Sequence, residues 1–368
     1  MSQKLKQYRE QIDRIDDELL RLFNERAKLA QQIGHEKNGS AVLRPEREAQ
    51  VLERMVRTNP GPLPSGSVRQ LFENVESPGQ TVTQLFTEVM SHCRALESPL
   101  KIAYLGPEGT FSEAAALKRF GNAVQKAPHA TIDEVFRAVE VGIAHYGVVP
   151  AENSTEGAVG RTLDLLMQSK LQICGEVMLP VHQCLLAREC EMDAIRIVYS
   201  HAQSLGQCQG WLNANLPQAA RIAVSSNAEA ARLAAQEAHS AAIAGIQAAR
   251  HFGVKVCVEN IEDDANNTTR FIVIGNQDVA PSGKDKTSLV MSAPNRPGAV
   301  HDLLTPLARH GVSMTKLESR PARSGLWEYV FFVDIEGHLL DAKVAAALVE
   351  LKQVAAFVKI LGSYPMAV

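Results

Sequence analysis

Residues 266–275 read Asn-Asn-Thr-Thr-Arg-Phe-Ile-Val-Ile-Gly. Four apolar residues, Phe271–Ile274, are closed by a glycine and opened by amides and hydroxyls, the pattern of a short buried strand that starts at a polar rim. At that rim Thr269 can donate one hydrogen bond, and Arg270 carries a charge it cannot lose. Together they suit an anion with a departing oxygen. Alone, Asn266–Phe271 is equally an ordinary loop leading into a strand, so the surrounding chain has to decide.

Working outward, residues 100–276 repeat this texture. Lys101–Leu105, Tyr146–Val149, Ile195–Tyr199, Arg221–Val224 and Ala241–Ala244 also read as short buried strands, with amphipathic or Ala-rich helices between several of them. The alternation predicts an α/β fold, long enough for two lobes. Four strands stop at polar clusters: Gly106–Ser112, Pro150–Thr155, Ser200–Ser204 and Ser225–Asn227. Open α/β sheets bind ligands at the carboxyl ends of their strands, and helix starts make anion sites. Each cluster taken singly is also explained as a helix cap, with Ser112, Ser154 or Asn227 as the capping residue. His201 is a candidate acid or a structural histidine beside a turn.

The flanks differ. Residues 1–99 are expected to be helical. Tyr8, Ile12, Ile15, Leu19, Leu22, Arg26, Leu29 and Ile33 step by four and three, a heptad-like seam,. Such a helix, about 45 Å long, outruns a small domain and calls for a partner, most simply the same helix of a second chain. A second helix is predicted from about 44 to 58. After a breaker run at 59–66 comes a third, ending near Glu97,. Arg26 sits on the apolar seam and needs an anion, either a ligand or an internal carboxylate such as Asp16 or Glu18. Lys37 lies about 20° around the helix and ~16 Å along it, so the two side chains can converge on one ligand. Arg9 is too far from Arg26 to share that ligand unless it comes from another chain. Residues 277–286 form a polar linker, and 287–368 read β-α-β-β-α-β, a ferredoxin-like order,.

Composition narrows the classes. The 368 residues carry 38 basic and 41 acidic side chains, which gives no electrostatic case for nucleic acid or a membrane surface. No apolar run approaches the ~18 residues of a bilayer span, and the charged start does not resemble a signal peptide. The six cysteines are scattered without a Cys-x-x-Cys. They are expected to be reduced structural thiols in a cytoplasmic protein. No metal-ligand spacing or phosphate loop is present, so no metal and no cofactor is expected.

Three resemblances emerge from the quoted residues. Arg9, Asp13, Asp16, Leu19-Leu20, Glu25-Arg26, Leu29-Ala30, Ile33-Gly34 and Lys37, then Arg44-Pro-Glu-Arg-Glu and Leu52-Glu53-Arg54, resemble an all-helical AroQ-type chorismate mutase. The resemblance implies an intertwined dimer in which Arg9, Arg26, Lys37, Arg47, Glu48 and Glu97 bind a dicarboxylate, with Arg44 and Cys93 at positions where members vary. Of these, Arg26, Lys37 and Glu97 would act on the reaction. Glu97 stands where some members have Gln and would have to be protonated to donate, which implies a mutase rate that falls as pH rises. Residues 65–84 read as an insertion.

Gly-Pro-x-Gly-Thr-Phe-Ser, Pro-x-Glu-Asn-Ser, Ser-His-x-Gln and Thr-Arg-Phe, in that order, resemble prephenate dehydratase over the whole of 100–276. That family implies two α/β lobes, like two-lobed periplasmic binding proteins, with the site in the cleft. Thr269 would donate to the leaving hydroxyl and Arg270 would hold a carboxylate or orient the site. Thr110, Ser112, Asn153, Ser154, Ser200, Gln207 and Ser225 would line the cleft. Asn295-Arg-Pro-Gly-Ala-Val, Glu318-Ser-Arg-Pro, Trp327-Glu-Tyr and Leu361-Gly-Ser-Tyr-Pro resemble the ACT regulatory domain. It implies phenylalanine as effector, bound where two such domains meet by Gly298, Ala299, Val300, Glu318, Ser319 and Arg320; a purely structural dimerisation module is the alternative. The expected organisation is therefore a mutase at 1–99, a dehydratase at 100–276 and a regulatory domain at 287–365, in a homodimer or larger homo-oligomer. A dehydratase that prefers arogenate and a catalytically silent amino-acid sensor remain as alternatives.

Overall fold

The computed structural model describes residues 3–36, 58, 60–61, 87–92, 95, 99–293, 296–321 and 329–367. They divide into two compact units, Met1–Glu97 and Ser98–Val368.

In the first unit, helix α1 runs from Gln3 to Glu36. Its seam is not covered within the unit: Tyr8, Ile12, Ile15, Leu22 and Leu29 are between 45% and 58% exposed. Arg21, off the seam, pairs with Glu18 at 2.7 Å and Glu25 at 2.9 Å. Glu18, one of the carboxylates considered for Arg26, is therefore engaged by Arg21. Residues 87–92 and 95 are helical, where the third helix was expected, and burial holds the His92 pKa below its ordinary value. Residues 44–57 of the expected second helix, the 65–84 insertion and Lys37, Arg44, Arg47, Glu48, Cys93 and Glu97 lie outside the described residues, and Thr58 is helical.

The second unit contains three sheets. The first has the order β2-β1-β3-β11-β5, with the short β4 (Gly157–Ala158) on β3. β1 (Lys101–Leu105) pairs in parallel with β2 (Gln125–His129) and β3 (Tyr146–Asn153). β11 (Thr268–Gly275) lies antiparallel between β3 and β5 (Gln172–Pro180). The second sheet has the order β10-β6-β9-β7-β8. Its strands are β6 (Cys184–Ala187), β7 (Ile197–His201), β8 (Ala220–Val224), β9 (Ser240–Ala244) and β10 (Lys255–Val258). The chain enters this lobe after β5 and returns at β11. The two crossings are tied together by Val181 N–H donating to Asn267 C=O at 2.8 Å and Ile261 N–H to Gln183 C=O at 2.9 Å.

The third sheet, β13-β14-β12-β15, is made by β12 (Asp285–Ser292), β13 (Met314–Pro321), β14 (Tyr329–Glu336) and β15 (Phe357–Pro365). Helices α9 (Ala299–Arg309) and α10 (Ala342–Val354) complete the β-α-β-β-α-β order. This sheet shares a core with the first lobe: Val290, Val330, Phe332, Leu361 and Tyr364 pack with Leu163, Leu166, Ile173 and Ile272. Gly362 makes the approach possible, because a Cβ there would strike the Ile173 backbone carbonyl and stand 2.8 Å from its nitrogen,. Lys359 reaches across to the carbonyls of Leu166, Met167 and Ser169 at the end of helix α4 (Gly160–Gln168), a cation at a helix C-terminus,.

The structure corrects the cysteine reading. Cys190 and Cys257 form a disulfide, with Cα atoms 5.1 Å apart across 67 residues of sequence. The antiparallel pairing of β10 with β6 brings them together, and nothing in their spacing announces it. Cys174, Cys184 and Cys208 are buried thiols. Burial raises all three pKa values, Cys208 to about 12. None of these three is a nucleophile near neutral pH.

Candidate active site

A cleft of about 450 Å³ lies between the first two sheets. Its floor is the edge where β3 meets β11. Asn153 and Thr269 are directly opposite each other in register and both face the cleft. Asn153 is locked by its own loop: its Oδ1 accepts from Thr155 N–H at 3.1 Å, Thr155 Oγ1 at 2.6 Å and Glu156 N–H at 3.2 Å. That arrangement fixes the amide, and its Nδ2 donates to Thr269 Oγ1 at 2.9 Å and Asn267 Oδ1 at 2.7 Å,. Thr269 Oγ1 thus accepts from the protein, and its own hydrogen is left for a ligand.

The opposite wall repeats the device. Ser204, in helix α5 (Ala202–Gln207), accepts from Asn227 Nδ2 at 2.8 Å and Gln183 Nε2 at 3.1 Å. Asn227 is fixed because its Oδ1 accepts from His201 N–H at 3.1 Å. Ser204, like Thr269, keeps a hydrogen for the cleft. Gln183 Oε1 is buried without a partner among the described residues and belongs to the lining. Sequence reading missed Ser204, Gln183 and Asn227 as site residues. The signals were Ser204 at the end of the Ser200 cluster and Asn227 at the end of the Ser225 cluster; Gln183 had none.

Two longer helices begin at the rim. Thr110 caps α2 (Phe111–Phe120) by accepting from Glu113 N–H, and Ser226 caps α7 (Asn227–Gln236) by accepting from Glu229 N–H. Their first N–H groups and positive dipole ends favour an anion. Among the described lining residues His201 is the one titratable side chain; no Lys, Arg, Asp or Glu lines the cavity. His201 itself accepts from Gln203 N–H as the cap of α5. The cleft can therefore hold negative charge with neutral hydroxyls, amides and helix ends. The lobes meet closely beside it: a Cβ on Gly109, whose φ is +83°, would lie 3.2 Å from the Cα of Ala248 across the cleft.

Of the residues expected to line the cleft, Thr110, Ser112, Asn153, Gln207, Ser225 and Thr269 do so. Ser154 and Ser200 do not. Ser154 Oγ accepts from Thr268 N–H at 2.9 Å, and fully buried Ser200 donates to Ile243 C=O at 2.8 Å. Of the two roles expected for Arg270, holding a substrate carboxylate or orienting the site, its position excludes the first. Strand alternation turns it to the far side of β11, away from the cleft and 9% exposed,. Its Nε donates to Glu176 at 2.8 Å, its Nη1 to Asp334 at 2.5 Å and its Nη2 to the Tyr364 hydroxyl at 2.8 Å. Burial opposes its charge, but Tyr364, Asp334 and Glu176 outweigh burial and its pKa rises. The holder of a substrate carboxylate expected at this position is instead the centre of a buried ion cluster.

At the regulatory sheet, Gly298 has φ +78° and starts α9, and Val300 is exposed. Arg320, expected to meet an effector, instead donates to Gly160 C=O and stands 3.2 Å from Asp164. The reason is its place on the packed face of β13. Trp327 and Asn295 lie outside the described residues.

Three family models match successive parts of the chain. A family model for prephenate dehydratase matches residues 102–279, one for chorismate mutase type II matches 8–98, and one for the ACT domain matches 287–353. A bifunctional chorismate mutase/prephenate dehydratase of Neisseria gonorrhoeae is 54% identical over 98% of this chain and 97% of that protein. One from Pseudomonas aeruginosa is 50% identical over 99% of this chain and 98% of that protein. A prephenate dehydratase from Arthrobacter aurescens, solved in complex with L-Phe, superposes with a TM-score of 0.67 at 34% identity, covering 72% of this chain and 90% of that one.

Proposed function

The chain belongs to the family of bifunctional chorismate mutase/prephenate dehydratases, and from that premise we propose the roles of its residues and the control of its activities. The mutase segment, 1–99, rearranges chorismate to prephenate without a covalent step, by orientation and charge. Arg26, Lys37, Arg47, Glu48, Glu97 and a partner chain's copy of Arg9 form its pocket, with Arg44 and Cys93 beside it. The exposed seam of α1 supports assembly with a second chain,. The dehydratase segment, 100–276, takes prephenate in the cleft. The bond from the ring to its carboxylate breaks, CO2 leaves, the freed electron pair enters the ring, and the ring hydroxyl departs with its bonding pair as hydroxide, hydrogen-bonded by Thr269, and takes a proton from solvent to become water. Aromatisation drives the step, so the protein has to hold the anion and stabilise the departing oxygen.

The observation that carries this reading is the Asn153–Thr269 hydrogen bond. It turns the Thr269 hydroxyl into a donor aimed into a cleft whose described lining has no Lys, Arg, Asp or Glu. The segment 287–365 takes phenylalanine, the downstream amino acid, near Gly298, Ala299, Val300, Glu318 and Ser319, and lowers flux through a cytoplasmic enzyme of phenylalanine biosynthesis. The apolar side chains exposed along β13, Met314 and Leu317, support the meeting of two such domains there,. The test is to supply chorismate alone and follow phenylpyruvate. Phenylpyruvate should accumulate and its formation should slow when phenylalanine is added. Accumulation of prephenate alone would refute the dehydratase assignment, and indifference to phenylalanine in both rate and Tm would refute the effector.

A further inference from the structure

The strand pair that presents Thr269 has a second face, and the third sheet holds it. In the β3–β11 register Thr269 stands opposite Asn153, and the next pair, Arg270 opposite Glu152, points the other way. Both members of that rear pair are gripped by the regulatory sheet. Lys316 of β13 donates to Glu152 at 2.6 Å. Asp334 of β14 and Tyr364 of β15 take two of the three donors of Arg270. Asp334 is braced in turn by Ser288 of β12. Every strand of the regulatory sheet therefore contributes to the grip: Lys286 of β12 also reaches Glu176 at 2.9 Å. The side chains of Arg270, Asp334, Glu176, Lys286 and Lys316 are 3–14% exposed, so these charges are held in little water and each depends on its partner,.

We propose that Lys316 and Asp334 are positioning residues for the dehydratase: by holding Glu152 and Arg270 from behind, they fix the register and tilt of the strand pair that aims the Thr269 hydroxyl. This inference rests on Thr269 acting as the donor. The logic is geometric. Adjacent residues of a strand share a backbone, so a movement of Arg270 of a few tenths of an ångström is a movement of Thr269, and a donor works only within a narrow range of distance and angle. The positioning comes from outside the dehydratase segment in sequence, which also offers the regulatory sheet a direct route to the reaction.

The experiment uses the full-length chain with Lys316→Met, Lys316→Arg, Asp334→Asn, Thr269→Ala and the double variant Lys316→Met/Thr269→Ala. Both activities are measured, the mutase serving as a reference on the same polypeptide. Lys316→Met should lower the dehydratase kcat about tenfold, with KM for prephenate within about twofold. Asp334→Asn should lower kcat more, the mutase rate should stay unchanged, and Lys316→Arg should restore kcat. In the Thr269→Ala background, Lys316→Met should add almost nothing, because it acts through a donor already removed. Wild-type kcat in Lys316→Met and Asp334→Asn, beside an inactive Thr269→Ala, would overturn this inference alone. So would losses that multiply in the double variant. Full activity in Thr269→Ala would overturn the role of Thr269 itself and this inference with it. Should Asp334→Asn fail to fold, the comparison of Lys316→Met with Lys316→Arg decides.

Discussion

The two faces of the β3–β11 pair carry equally polar residues to opposite ends. In front, Asn153 and Thr269 are neutral, and their network is deliberately one hydrogen short of complete: the threonine accepts from the protein and has its own hydrogen to give. Behind, Glu152 and Arg270 are charged, and the guanidinium spends its donors on Glu176, Asp334 and Tyr364. One residue of offset separates the faces because side chains alternate along a strand. The contrast teaches how to tell a reactive polar group from a structural one. Charge and burial point to Arg270, whereas unspent hydrogen-bonding capacity facing a cavity points to Thr269.

The contrast can be broken by changing one face at a time. The largest effect is expected from Arg270→Met. Removing one member of a buried ion cluster leaves carboxylates without compensation, which typically costs about 3–5 kcal/mol. The denaturant midpoint of the transition that abolishes dehydratase activity should fall accordingly, with the mutase spared. A loss below about 1 kcal/mol would rank the cluster with surface ion pairs and defeat its structural role. Thr269→Ala should do the reverse. Deleting one donor to a developing oxyanion typically costs about 10²–10³ in kcat, and the unfolding midpoint should hardly move. Thr268→Ala is the control. Thr268 Oγ1 donates to Asn266 C=O at 3.3 Å, outside the cleft, so kcat should stay close to wild type. Equal losses from the two threonines would refute the assignment.

Much of this architecture could be read from the chain. The apolar runs in Lys101–Leu105, Phe271–Ile274 and Ala241–Ala244 are continuous; the first strand was found with the same bounds and the other two within longer observed strands. The third sheet followed its predicted order because its apolar runs and breakers are well separated. What escaped reading had a physical cause in each case. β5 is interrupted by Gly175 and Glu176, and a carboxylate inside a strand reads as a break until the arginine and lysine that neutralise it are known. Thr110, Asn153 and Gln207 were named from motif order. Ser204 and Gln183 belong to the site through hydrogen bonds that cross long stretches of chain, and no local pattern encodes those. Arg270 was legible as important, but its face was not, because the polar rim before Phe271 hides where the alternation begins.

The smallest expected effect concerns pH and sharpens the same comparison. Tyr364, in the rear network, and Tyr104, in the first-lobe core, are both fully buried. Burial is the leading cause that pushes both phenols above the ordinary value of 10.0, and nearby carboxylates add to it. The folded state then binds more protons than the unfolded one at alkaline pH. Their contribution is therefore complete below pH 10 and declines as pH rises past 10, by up to about 1.4 kcal/mol per tyrosine for each pH unit. The Tyr104 hydroxyl has no partner among the described residues, so Tyr104→Phe should keep neutral-pH stability and flatten the loss between about pH 10 and 11. Tyr364→Phe removes an acceptor from Arg270 as well, so it should weaken the fold already at pH 7. Identical pH profiles for the two variants would mean that the rear hydroxyl is no more engaged than the unpartnered one, and that the rear network ends at its carboxylates.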